Sequence, residues 1–217
     1  MYQLQQSSPQ DLKAIAGCHL QCFRHSFTSK LGIAYATKTF EWFLAGDNRF
    51  LFHITNKEEV LGYCGGFISR FDGDGSTSGM LQFAMKQAIA GVLRKPWLLF
   101  HRGVWPFYPL IFKNIYRKIF GKKRTGPAAI EPAQAPRPFH QRAGLVVIGV
   151  HPLHRGKGVF ELLMKEFDRQ ASVKGASVLY LSVKKNNGRA IRAYTKAGWS
   201  VMNQHPGSLE LSKTLTA

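Results

Sequence analysis

A chain of 217 residues suits one domain with insertions, or at most two small ones. Its 45% hydrophobic and 12% aromatic content argues for a packed core rather than disorder. Thirty Lys and Arg against 12 Asp and Glu give a formal charge of +18, which attracts nucleic acid, acidic lipid or phosphate-bearing small molecules without choosing among them.

The opening "MYQLQQ" reads as an edge strand and lacks the basic-then-apolar pattern of a signal peptide, and no uncharged apolar run reaches spanning length. "SSPQDLKAIAGCHLQCF" then starts a helix, with Ser8 as the expected N-cap and Pro9 in its first turn. Cys18 and Cys22 lie four apart and read as small buried residues on one helix face. His19 and His25 are close by, but no second ligand pair follows, so no metal site is expected. Three cysteines, an odd and low count, fit a reducing cytoplasm.

"GIAYATKTFEWFLAG" predicts a second helix closed by Gly46. "RFLFHIT" and "EVLGYCGGFIS" predict a hairpin, and Gly65 and Gly66 inside the second strand hint at a bulge or a close backbone approach. The composition then shifts. Residues 75–130 hold no Asp or Glu, while ten Lys and Arg from Lys86 to Arg124 accompany "PWLLFHRGVWPFYPLIFKNIYRKIF". We read residues 72–140 as a basic helical insertion within a single domain, 1–217, with a proline-rich end.

The last third is regular. "GLVVIGV" is a buried strand, "GVFELLMKEFDRQASVKG" a helix with Val159, Leu163 and Phe167 on its apolar stripe, and "SVLYLSV" a second buried strand. "NGRAIRAYTKAG" is a short helix, and "SVMNQH" with "LELSKTL" makes a strand pair. This is a mixed α/β pattern with at least one parallel strand pair. Between the first strand and helix stands "HRGKGVF". A helix N-terminus offers unpaired N–H groups and the positive end of a dipole. Gly156 and Gly158 clear room there, and Arg155 and Lys157 add charge, so the loop is a candidate phosphate cradle. It lacks the ending of a P-loop and the third glycine of the dinucleotide fingerprint.

Two motifs together resemble the GCN5-related N-acetyltransferase (GNAT) family. That family's cofactor loop runs basic residue or Gln, two residues, Gly, one residue, Gly or Ala; here stand Arg155, Gly158 and Phe160. Its downstream motif is matched by Asn187, Ala190, Tyr194, Gly198 and Trp199. The resemblance is specific over residues 143–202, looser over 1–69, and silent over 72–140. It implies an α/β (α+β) fold, with a mixed, mostly antiparallel central sheet flanked by helices. It also implies acetyl-CoA, or another acyl-CoA, bound along Val147, Ile148, Val150, Arg155, Gly156, Lys157, Gly158, Val159, Phe160 and Asn187. The departure is Phe160, where the family has a small residue; we expect its ring to turn outward, toward the adenine side or solvent.

The resemblance implies direct attack of an amine on the thioester, without a covalent enzyme intermediate. A backbone N–H near Val150 would stabilise the oxyanion. Tyr194 would protonate the departing thiolate, a phenol of pKa about 10 serving only if well positioned. Asn187 would bond the pantetheine arm or a diphosphate water, and as a helix N-cap it could do both. No carboxylate stands on the "RAGLVVIGV" strand, leaving Asp72, Asp74, His25 and His140 as base candidates, or a water chain in place of a base.

The basic, aromatic insertion resembles that of a GNAT subgroup associated with bacterial polysaccharide biosynthesis. That implies a small-molecule amine acceptor, an amino sugar on a nucleotide or lipid diphosphate, and a place at the inner membrane surface. Two alternatives stay open: a peptide or protein acceptor, and a non-catalytic basic module that binds nucleic acid or membrane. No RNA-binding aromatic signature or zinc-finger spacing supports nucleic acid.

Overall fold

The computed structural model describes residues 2–57, 59–69, 77–100 and 141–215. The expected insertion is therefore seen only in its first part. Asp72, Asp74, His140 and the Lys122–Lys123–Arg124 cluster lie outside the described residues.

Alternating apolar residues build a seven-stranded sheet in the order β1-β2-β3-β4-β5-β7-β6. Its strands are β1 (Gln3–Gln6), β2 (Arg49–Asn56), β3 (Glu59–Ser69), β4 (Arg142–Val150), β5 (Val178–Lys184), β6 (Ser200–Gln204) and β7 (Ser208–Thr214). Every neighbouring pair is antiparallel except β4 with β5. The expected mixed, mostly antiparallel sheet is thus present. The hairpin β2–β3 forms as its pattern predicts. The register shifts at Gly65–Gly66 opposite β4, and a Cβ on Gly66 would lie 2.6 Å from the Phe167 ring and 2.9 Å from the Gly144 carbonyl. Both anticipated reasons for these glycines, bulge and close approach, hold.

Helices cover both faces. On one, α6 (Val159–Val173) and α7 (Gly188–Lys196) close a core of Phe50, Phe52, Leu163, Phe167, Leu181 and Trp199. On the other, α1 (Leu12–Cys22) and α3 (Ile33–Leu44) pack Ile15, Phe40, Phe43 and Tyr63 against the sheet. A five-residue α2 (Phe27–Leu31), too short to show a helical period in the sequence, precedes α3, its Ser26 side chain accepting from the Ser29 amide. The N-terminus of α1 also differs from expectation. Asp11, not Ser8, occupies the cap position, and Ser8 donates both its amide (2.8 Å) and its hydroxyl (2.6 Å) to the Asp11 carboxylate. The serine serves the acid, which is the stronger acceptor. Helix α3 ends at Leu44 with Ala45 as its C-cap, so Gly46 follows the helix without closing it.

Helices α4 (Thr77–Phe83) and α5 (Met85–Arg94) fall within residues 72–140. They pack on α2 and α3 rather than on the sheet, around Leu31, Tyr35, Ala84 and Leu98.

Candidate functional site

The parallel pair β4–β5 is short. Only Arg142, Gly144 and the residue between them pair with Val178–Tyr180. Beyond Gly144 the strands part, while β4 stays bonded to β3 as far as Val150. In an antiparallel ladder, successive residues turn their N–H and C=O alternately toward and away from the neighbour. His151 donates its amide to the Leu61 carbonyl (2.8 Å) on the β3 side. Val150, one residue earlier, therefore turns its amide and carbonyl toward the parted side. Ile148 and Val150 pack their side chains on the α6–α7 face, and Val147 packs toward α1 and α3.

The glycine loop lies at the exit of β4. A 3₁₀ turn over Pro152–His154 leads through extended Arg155 to Gly156 and Gly158, with φ of +74° and +80°. Side chains avoid this left-handed region. Nothing lies within 4 Å of a Cβ built on either glycine, so the backbone is open on that face. The first amides of α6, at Val159, Phe160 and Glu161, have no partner within the helix. The open glycine turn therefore adjoins the helix N-terminus, and one side chain of the loop departs from expectation. The Arg155 guanidinium is turned inward, donating to the Val150 carbonyl (3.2 Å) and the Cys22 carbonyl (3.3 Å). It ties β4, the loop and the end of α1 together, leaving Lys157 as the exposed cation of the loop.

Tyr194 on α7 is buried, its ring edge-on to Phe160 (5.7 Å between centroids) and to Trp199 (6.1 Å). Burial pushes its phenol above the ordinary tyrosine range, with a smaller push from Cys64. Phe160 does not turn outward to solvent. One residue along α6 from buried Val159, it rotates about a hundred degrees round the helix and packs half-buried against the core beside Tyr194. Asn187 caps α7 by accepting from the Ala190 amide (3.3 Å) and is otherwise exposed. Its cap role is observed.

Sequence reasoning missed a second polar group, on the α1 side. His19 Nδ1 lies 2.5 Å from the Tyr63 hydroxyl, and burial pulls the imidazole down to about 4. Tyr63 is one more aromatic in an apolar strand, and its partner stands 44 residues away, so no local signal marks the pair. His25 is exposed on the turn after α1. Cys18 and Cys22 put their sulfurs 3.9 Å apart. The hydrogen bond from Cys18 and the nearby Arg155 pull the Cys22 thiol down. The Glu59 carboxylate reaches toward His151 Nδ1 (4.0 Å) and His154 Nε2 (3.8 Å).

Residues 126–199 match the model of the acetyltransferase (GNAT) family. No curated protein matches the chain. Among solved structures, the chain resembles the PaiA N-acetyltransferase of Thermoplasma acidophilum in complex with coenzyme A, at 10% identity and TM-score 0.59, covering 99% of each chain. It also resembles Arabidopsis thaliana NAA60 in complex with acetyl-CoA, at 13% identity and TM-score 0.57, again with 99% of each chain covered. A third is the ribosomal-protein-S18-alanine N-acetyltransferase of Escherichia coli, at 12% identity and TM-score 0.54, covering 100% of this chain and 96% of that one. Identities this low are likenesses of fold.

Proposed function

We propose that this chain is a GNAT-family N-acetyltransferase using acetyl-CoA; residues 126–199 match that family's model, and the fold is similar to that of a solved N-acetyltransferase. The observation that carries this reading is the parting of β4 from β5 beside a loop whose backbone is open at Gly156 and Gly158. The acetyl donor supplies a thioester carbonyl for an amine to attack. The chain's own groups divide the remaining work. The loop amides and Lys157 hold the diphosphate, and the free edge of β4, from Val147 to Val150, receives the pantetheine arm. The Val150 amide, turned to the parted side, meets the oxyanion. Tyr194 gives its phenol proton to the departing thiolate and regains one from solvent; its raised pKa keeps the phenol protonated but makes it a weaker acid, so the transfer depends on its position beside the leaving sulfur. Arg155 positions the strand end rather than the phosphates. Asn187 completes the cofactor side from the head of α7.

The acceptor is the primary amine of a small molecule, an amino sugar on a phosphate-bearing carrier at the inner membrane surface. The charge of +18 and the acid-free stretch 75–130 support an anionic acceptor. Two measurements test the reading. Saturating acetyl-CoA should raise Tm, and an unchanged Tm would remove the donor assignment. Release of free CoA thiol should then be faster with amino-sugar nucleotides than with peptides of free N-terminus; the reverse order would reassign the acceptor.

A further inference from the structure

We propose that the exposed ridge formed by Leu81, Met85, Ile89, Leu93 and Trp97 is the face by which this protein docks on an anionic lipid bilayer. Helix α5 buries its small residues: Ala84 before it, Ala88 and Gly91 seat it on α2 and α3 with Val92 and Leu98. Its large apolar residues stand beside that seat, in solvent. Met85, Ile89 and Leu93 are spaced by four, one above another on the helix. Leu93 is 77% exposed and Trp97 65%. Folding the described residues does not use this surface. Lys86 and Arg94, both exposed, flank it.

The choice of occupant follows from chemistry. Nucleic acid would neutralise the cations but leave Ile89, Leu93 and Met85 without a partner. A second copy would cover the apolar residues but bring together faces of the same sign on a chain of +18. An anionic bilayer meets both needs. Acyl chains take the Leu, Ile and Met side chains, the interface suits Trp, and acidic headgroups meet the cations. No helix among the described residues is long and apolar enough to cross a membrane, so the contact is interfacial. The inference rests on the reading above only for its purpose, which is to bring the enzyme to a lipid-borne acceptor; the docking itself is measured without turnover.

The test is co-sedimentation of the full chain with vesicles of phosphatidylcholine alone and of phosphatidylcholine mixed with an equal part of phosphatidylglycerol. Binding should be strong to the mixed vesicles, weak to the neutral ones, and reduced by salt. The double variant Leu93→Ser, Trp97→Ala should lower affinity for the mixed vesicles about tenfold or more, while its Tm shift with acetyl-CoA stays that of the parent. Failure of the parent to bind mixed vesicles would overturn the proposal, as would equal binding by the variant. A parent that is dimeric in size-exclusion chromatography and a variant that is monomeric would also overturn it, by assigning the ridge to a second copy. A parent that docks but shows no Tm shift with acetyl-CoA would leave the docking face standing and remove the acetyltransferase reading.

Discussion

The Tyr63 hydroxyl stands between His19 Nδ1, 2.5 Å away, and Gly149, on which a Cβ would lie 2.6 Å from the same oxygen. The phenol therefore fills the space beside β4 one residue before Val150. His19, held down to about 4 by burial, is neutral at physiological pH and shares one hydrogen bond with the Tyr63 hydroxyl, its direction set by the imidazole tautomer. So weak a base cannot hold a proton taken from an acceptor ammonium at neutral pH. The pair fills and fixes this side of β4.

This has a consequence for stability. The unfolded chain protonates His19 near pH 6.5, the folded chain only near pH 4. Between those values the unfolded state binds more protons, so this contribution to stability is full above pH 6.5 and is lost as pH falls toward 4. Buried His53 is also shifted down and adds a slope of the same sign. The difference between parent and His19→Gln isolates the first group. Tm should fall less steeply between pH 6.5 and 4.5 in the variant, while its pH–rate profile keeps the parent's acid limb. Loss of that limb would make His19 a true base.

Gly158→Ala should damage the loop rather than the core. The added methyl meets nothing within 4 Å, but the residue sits at φ +80°. Holding an L side chain there costs roughly 1–2 kcal/mol. Tm of the free protein should drop by a few degrees, and most of the Tm rise with acetyl-CoA should disappear as the backbone relaxes away from the diphosphate. A variant with an unchanged acetyl-CoA response would show that the amides of this turn do not hold the donor.

Tyr194→Phe keeps the ring that packs between Phe160 and Trp199 and removes only the hydroxyl. A group that acts mainly on the leaving thiolate contributes in the transition state, so turnover should fall by about 10²–10⁴. The acetyl-CoA dissociation constant should change little. Equal turnover in variant and parent would assign the tyrosine to packing.

How much of this was legible in the sequence depends on distance along the chain. The last third reads correctly because each signal is local. Val159, Leu163 and Phe167 recur at helical spacing and are all fully buried, and Gly175 and Gly198 end their helices in the left-handed region. The glycine loop is equally local. Ser8 and Asp11 show the limit: both can cap, and the outcome turned on which donates to the other. Arg155 looked like a phosphate ligand because its neighbours are glycines; its carbonyl partner at Cys22 is 133 residues away. The parting of β4 from β5 is likewise a property of two strands separated by a helix, and no residue in either announces it.

Phe160 is where the chain departs from its own motif, and its packing makes a test that separates two roles. The ring lies edge-on to Tyr194 at 5.7 Å and is half-buried against the α6–α7 core. It therefore helps to exclude water from the phenol whose pKa that burial raises. Phe160→Ala should let water in and lower the Tyr194 pKa toward its ordinary value. The shift is readable as a tyrosinate absorbance step in Phe160→Ala that is missing when Tyr194→Phe is added. Removing a half-buried aromatic should also cost stability, though less than the about 3–5 kcal/mol of a fully buried one. Because the ring turns toward Tyr194 and the loop amides remain open, acetyl-CoA affinity should move by less than tenfold, about 1.4 kcal/mol. If the variant instead binds acetyl-CoA tenfold more tightly, the ring was occupying donor space. A longer or differently shaped acyl-CoA, tested against both proteins, would then be the donor to compare.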